Sequence, residues 1–535
     1  MKKYTKYILI FFIIFFLGVF TEKFNLDNKI SNNFKNLLDA GSRILYSFTA
    51  KEKVYIDIEP KEYEKILKIR KKALKAGLLT EDLHKWVPAK LKIKNISYDT
   101  KIRLKGVFPD HWSDPSRWSF KIKVNNNSKS IYGSKRFNLQ PPNTMSYLYE
   151  WLLMKALKKE QLISLRTEYL EVIINGNSRG AYIFQDGISN EMLKTNDRVK
   201  GPIVGFNKNL YLIERKNERR LGELGLTGSL NGVEDTFWRA KIDSVQFSED
   251  QIEKKQGAYL TKAIYLLESF RDGSLKPSEV FDTNKLAKIM AIRAVLGSSE
   301  FDYRDTKFYF NPETSLLEPV TKESHVSLDL NFKDHYFSWW IDSSHVKPHY
   351  TNNTNFFLDI LYKDYKFYKS YLSELNKFSK KKYFEDLIDD NKIEYKKNLK
   401  ILKQNYPTKE IFSKNHLDIT RHRIQDFLNP VQGLNVYFSD YKENFLSLNI
   451  SNLQRLPVEI TGIEFKDKSK IFLKESVIIE GKKPYLSTKN NVIKFDCLFK
   501  DECKKLSIDK QKVIFKILGQ NIDKKANISR DYFKK

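Results

Sequence analysis

"SEFDYRDTKFYFNPETSLLEPVTKESH", residues 299–325, sets acidic residues around a short aromatic run. Its "FYF" strand and "NPET" turn read as a β-hairpin. Such a hairpin is either an ordinary surface feature or the carboxylate cluster of a phosphoryl-transfer site, which needs acids for a cation and for an acceptor hydroxyl. The segments around it decide between the two.

At 535 residues, with 41% hydrophobic and 14% aromatic residues, the chain has enough apolar material for two to four packed domains. Repeats and low-complexity tracts are absent. The first residues, "MKKYTKYILIFFIIFFLGVFTEK", place Lys2, Lys3 and Lys6 before an apolar run from Tyr7 to Phe20, the pattern of a membrane-targeting segment. No pair of small residues two apart follows at Leu17 to Thr21, so an uncleaved signal anchor is favoured over a cleaved signal peptide. The leading lysines orient the remainder outside the cell membrane, as a single-pass protein with its bulk extracytoplasmic. A net charge of +28 suits an anionic partner such as a phospholipid surface, an acidic glycan or nucleic acid. Export makes nucleic acid the poorest of these, and lysines spread along the whole chain are the plainer source of the charge. Cys497 and Cys503, the only two cysteines, lack the spacing and the second pair of a zinc site; they form either a small disulfide loop or two thiols.

Four regions follow: an anchor over 1–23, a stalk over 24–50, a body over 51–429 and a β-sandwich over 430–535. In the body, "KVYIDIEP", "AKLKIKN", "YDTKIRLKG", "RWSFKIKV" and "KRFNLQ" alternate as strands, and "KEYEKILKIRKKALKAG" reads as a helix closed by Gly77. "SYLYEWLLMKALKKEQL" predicts an amphipathic helix capped by Ser146. "TEYLEVIINGNSRGAYIFQDG" predicts a hairpin around "NGN". Residues 250–297 and 355–428 are helical in pattern. Elements alternate without a βαβ rhythm, so the class is α+β. Short alternating runs such as "FLSLNISN", "PVEITGIEF" and "KVIFKILG" make the last hundred residues an all-β sandwich.

The sequence contains no Walker A, G-x-S-x-G or H-E-x-x-H pattern. "LGELGLTGSLNG" at 221–232 lacks the strand and lysine of a phosphate cradle, and Pro348 separates His345 from His349, so a metal site there is disfavoured. Strand alternation is more informative. Ser119, Lys121 and Lys123 share one face, with Arg103 and Lys105 alike on theirs. Such a basic face holds phosphate oxygens, or is merely solvated.

The order "KIRLKG", "WSFKIKV", "YGSKRFNLQ", a helix, "LRTEYLEVIINGNSRGAYIFQDGISNEML" and "FYFNPETSLLEPV" resembles the CotH family of spore-coat-type, secretory-pathway kinases over residues 54–428. The resemblance implies an atypical protein-kinase-like body with a helical C-lobe, using ATP and Mg or Mn to phosphorylate Ser or Thr of exported proteins. Lys121, with Lys123 as alternate, matches the family's nucleotide lysine, and Arg103 joins the phosphate-binding face. Asp186, or less well Gln185, stands where the family has its acidic partner. Asp302 and Asp305 stand for the catalytic and metal-binding acids, Lys307 falling at the strict spacing of the family's metal-binding Asn. Thr321 and Glu323 stand near the family's metal-binding Asp, which makes Asp305 and Glu323 the metal candidates. Lysine ligates no cation, and Glu reaches further than Asp.

Three functions fit these departures. One is a kinase-like envelope or surface binding and assembly factor whose metal positions have eroded, with an envelope component as partner. Another is an active ATP-dependent kinase of exported proteins. The third is a protein that handles anionic envelope polysaccharide.

Overall fold

Alternating apolar residues give the first half of the chain seven strands that close on themselves. They are β1 (Lys53–Asp57), β2 (Val87–Ile93), β3 (Ile96–Leu104), β4 (Phe120–Val124), β5 (Arg136–Gln140), β6 (Thr167–Ile174) and β7 (Asn177–Asp186). Neighbours run β1-β2-β3-β4-β5-β7-β6, and β6 returns parallel to β1, with Val54 opposite Val172. Closure removes both sheet edges. Inside lie Ile102, Leu104, Phe120, Ile122, Phe137, Leu139 and Phe184. The β6–β7 turn uses Asn175 (φ 48°) and Gly176 (φ 77°), the pair of left-handed residues that a two-residue hairpin requires. Helix Pro60–Ala76 lays Ile66 and Ala73 on the barrel and ends at Gly77 (φ 66°), as its sequence predicts.

This computed structural model describes residues 41, 52–125, 129–224, 235–245, 254–298, 303–326, 356–429, 433–483, 486–497 and 511–530. The expected anchor over 1–23, Asp302, the group around His345 and Cys503 lie outside them. Among the described residues no helix is long and apolar enough to cross a membrane.

The second apolar core gathers around helix Thr283–Leu296, in which ten residues, from Leu286 to Leu296, are buried. A helix buried on nearly all sides belongs at a centre. Asp282 caps its start by accepting from the Lys285 amide, and Gly297 (φ 76°) ends it. Helices Leu148–Lys159, Tyr365–Phe378 and Lys414–Leu428 pack on it. So does a sheet of β8 (Ile203–Phe206), β9 (Ile242–Ser244), β10 (Lys307–Asn311) and β11 (Leu316–Val320), in the order β11-β10-β8-β9. The opening hairpin is thus β10–β11, buried on this core through Phe308, Tyr309, Phe310 and Leu317.

Ser146 corrects one expectation. It stands at φ 54° and makes no cap; the helix starts at Leu148 after Tyr147. Its Oγ accepts instead from the Val326 amide at 2.8 Å, tying the chain beyond the hairpin to this helix.

From Gly433 onward, two four-stranded sheets enclose a third core of Val436, Leu448, Ile460, Phe495 and Phe515. Leu456, Ile517 and Leu518 leave that core and join the second one. Cys497 is disulfide-bonded, and Cys503 is the only other cysteine of the chain. Helices and strands are therefore mixed through the body, as an α+β reading expects.

Candidate functional site

Register sets the outer face of the barrel. Arg103 lies opposite Lys121, Lys121 opposite Asn138, and Asn138 opposite Gln185. Residues directly opposed across strands point to the same side, so the four form one polar row. Lys123 forms the next row with Lys101 and Arg136. Burial, reinforced by Arg103, Lys322, Lys105 and Arg136, pushes the Lys121 amine down to about 7. Among the described residues no carboxylate pairs with it. The Arg103 guanidinium lies over the Trp86 ring at 5.2 Å. Burial and the nearby Arg103 and Lys121 press His84 down to about 4, so it stays neutral.

Asp186 belongs to the other face. It opposes Phe137, is buried, and burial raises its carboxyl against the pull of Arg166. Alternation turns it away from Lys121, so the two are not brought together. Gln185 holds the place on the Lys121 face and donates to Glu150 Oε1 at 2.8 Å.

The segment after β11 reaches this face through unusual backbone. Glu323 (φ 59°) and His325 (φ 44°) are both left-handed, a conformation that costs a side-chain-bearing residue about 1–3 kcal/mol unless its surroundings fix it. The surroundings do so. Arg293, 2% exposed, donates to Thr321 Oγ1 at 2.9 Å and to the Glu323 carbonyl at 3.0 Å. The Ser324 amide donates to Glu150 Oε2 at 2.6 Å, and Ser298 Oγ donates to the Ser324 carbonyl at 2.6 Å.

This anchoring delivers the Glu323 carboxylate to the barrel. Oε1 accepts from Lys105 Nζ, which also donates to Gln140 Oε1 at 2.7 Å. Oε2 lies 3.2 Å from His325 Nε2, and Lys322 Nζ is 3.7 Å from Oε1. Burial opposes charge on Glu323, yet Lys105, Lys322 and His325 hold its carboxyl well below the usual range. Burial lowers Lys105 to about 8, with Glu323 opposing that fall. Asp305 Oδ1 accepts from Lys208 Nζ. Burial works against its charge too, and Lys208 and Arg304 overcome it, with His325 adding to the same field.

Among the sequence candidates, Arg103, Lys121, Asp305 and Glu323 therefore gather at the junction of barrel and second core. Lys123 stands one row away, and Asp186 faces inward. Sequence reasoning missed the pairing of Lys105 with Glu323 and the parts played by Gln140, Glu150, Lys208, Arg293 and Lys322. One signal was present for Glu150: a lone acid inside the apolar run "YLYEWLLM", fully buried in the fold.

A hard divalent cation takes six or more oxygen ligands, carboxylates first. The Glu323 oxygens face the Lys105 ammonium and the His325 ring, Asp305 is held by Lys208, and Thr321 Oγ1 accepts from Arg293. Among the described residues no three His, Cys, Asp or Glu side chains converge as ligands. As paired, these groups do not offer Mg or Mn its donors.

A family model described as CotH kinase protein matches residues 102–387, more than half of the chain. The chain belongs to the CotH family. The match takes in Arg103, Lys105, Lys121, Glu150, Arg293, Asp305 and Glu323, so the basic face and the Glu323 segment both lie within the CotH region. The C-terminal sheets lie beyond it. No curated protein matches the chain.

Proposed function

We propose that this CotH-family chain binds a phosphate-bearing ligand on the Arg103–Lys121 face without transferring phosphate. It serves as a membrane-anchored, extracytoplasmic envelope or surface assembly factor on a kinase-like body, with the C-terminal sheets as the contact for an envelope component. One observation carries the reading. The Glu323 carboxylate, which the family resemblance sets near a metal-binding Asp, is spent on the Lys105 ammonium, while among the described residues no acid pairs with the Lys121 amine.

Thermal unfolding of the purified protein in increasing ATP tests it. A ligand bound only by the folded state stabilises by about 2.7 kcal/mol at a hundred times its Kd, so the unfolding temperature should climb with ATP, and phosphate should remain on the nucleotide. A flat titration overturns the reading.

The second reading, an active kinase of exported proteins, draws support from Asp305 and Glu323 lying in the field of the same imidazole, His325. It requires Lys105 to release Glu323 when ligand and metal enter.

A further inference from the structure

The Lys105 ammonium is a buried cation held by two side-chain oxygens. Glu323 Oε1 and Gln140 Oε1 both accept from it, and Asp110, on the loop that follows, lies within its electrostatic reach. Its neighbours on the open side are the cations Lys121 and Lys322, which lie in one another's field along with Arg103. Gly106 (φ 89°) turns the chain sharply after Lys105 and leaves room for the buried His111 ring, which a Cβ at this position would meet at 2.0 Å. The backbone carrying Lys105 is thus fixed from both sides: β3 before it, the His111 contact after it.

We infer that Lys105 occupies the seat of the divalent cation, so that the ligand of this face is a metal-free phosphoanion. The inference rests on the non-transferring reading above and names its ligand class: a di- or triphosphate carrying its full negative charge. In a metal-dependent site, the cation neutralises phosphate and bridges it to carboxylates. Here Lys105 already neutralises the carboxylate with Lys322 at its edge, and Arg103 and Lys121, with Lys322 beside them, are left to meet phosphate oxygens directly. A chelated magnesium ion would remove about two charges from the ligand and bring a dication up to three side-chain cations. Both effects oppose binding. Magnesium should therefore weaken the complex, the reverse of what a phosphoryl-transfer site shows.

Calorimetric titration of the full-length protein in detergent, with ATP and separately with inorganic tripolyphosphate, in EDTA and in excess Mg²⁺, decides this. The expected result is tighter binding in EDTA, on the order of tenfold for a change of two ligand charges near a cationic face. Tripolyphosphate matching ATP identifies the phosphate chain as the recognised part, and ATP alone binding assigns recognition to the nucleoside as well; either agrees if EDTA gives the tighter complex. Equal or tighter binding in Mg²⁺ overturns the inference while leaving phosphate binding intact. No binding in either condition removes the parent reading and the inference together. Two variants sharpen the test. Lys322→Gln, at a partly exposed position, should lose affinity mainly in EDTA. Lys105→Met frees Glu323 and should make Mg²⁺ strengthen binding; if that protein does not fold, the Lys322→Gln comparison still decides.

Discussion

Lys105 and Glu323 meet across 218 residues of sequence, and the contact joins the barrel to the segment after the β10–β11 hairpin. Removing one member of a buried ion pair leaves a bare charge and costs about 3–5 kcal/mol, whereas replacing both by apolar groups of similar size is often neutral. Lys105→Met alone should therefore lower stability by about that amount in urea unfolding, and Lys105→Met combined with Glu323→Leu should recover most of it. A double variant no more stable than the single one would mean that the pair does not couple the two parts.

Lys121 should behave in the opposite way. Its amine is half-buried beside Arg103, Lys322, Lys105 and Arg136, and no carboxylate among the described residues pairs with it, so its charge costs stability that only an anion offsets. Lys121→Met is expected to raise the unfolding temperature by a few degrees, roughly 1 kcal/mol, and to abolish phosphate binding. A destabilised variant that still binds would assign Lys121 a structural role.

Glu150 gives a pH signature. Burial, followed by repulsion from Glu323, raises its carboxyl to about 7. A raised acid favours the folded state while protonated, so its contribution is full below the ordinary value of about 4.5 and is lost as pH rises through about 7. The neutral form also has a use: Gln185 Oε1 is buried without a hydrogen-bond partner, and a turned Gln185 amide would accept the Glu150 proton. Glu150→Gln keeps that bond at every pH. Stability measured from pH 5 to 8 should fall more steeply for the natural protein than for Glu150→Gln; parallel curves would count against this assignment.

The C-terminal sheets should report on the helical core beneath them. Gly519 sits at φ 79° with the Lys369 carbonyl 2.5 Å from where a Cβ would be, and Gln520 Nε2 donates to the Leu428 carbonyl at 2.6 Å. Gly519→Ala adds both a clash and left-handed strain, at a cost of more than about 1 kcal/mol. Faster hydrogen exchange is expected in helix Tyr365–Phe378 of this variant as well as in the sheets. Exchange confined to the sheets would show that the two cores are energetically separate.

Local structure was legible wherever neighbours in sequence decide it. The NGN hairpin, the Gly77 helix end, the β10–β11 hairpin and the shared face of Arg103 and Lys121 all follow from turn chemistry or alternation. Barrel closure was not, because β1 and β6 pair across a long stretch of chain that carries no local signal. The same limit hid the Lys105–Glu323 contact. Alternation placed Lys105 on the basic face, but only tertiary packing brings a left-handed Glu323 to it. Asp186 shows the converse: its position in the motif suggested a partner for Lys121, and one residue of register turned it inward. Ser146 matched the pattern of a helix cap, yet its hydroxyl is used on Val326.

On the proposed function, this CotH-family site holds phosphate without moving it. The most direct measurement follows γ-labelled ATP with the purified protein in Mn²⁺ and in EDTA, separating label bound as nucleotide from label transferred to protein or released. Label that stays on bound nucleotide in both conditions, and is lost from the Lys121→Met variant, is the expected result. Metal-dependent transfer or release of label that Lys121→Met abolishes would show that the site moves phosphate.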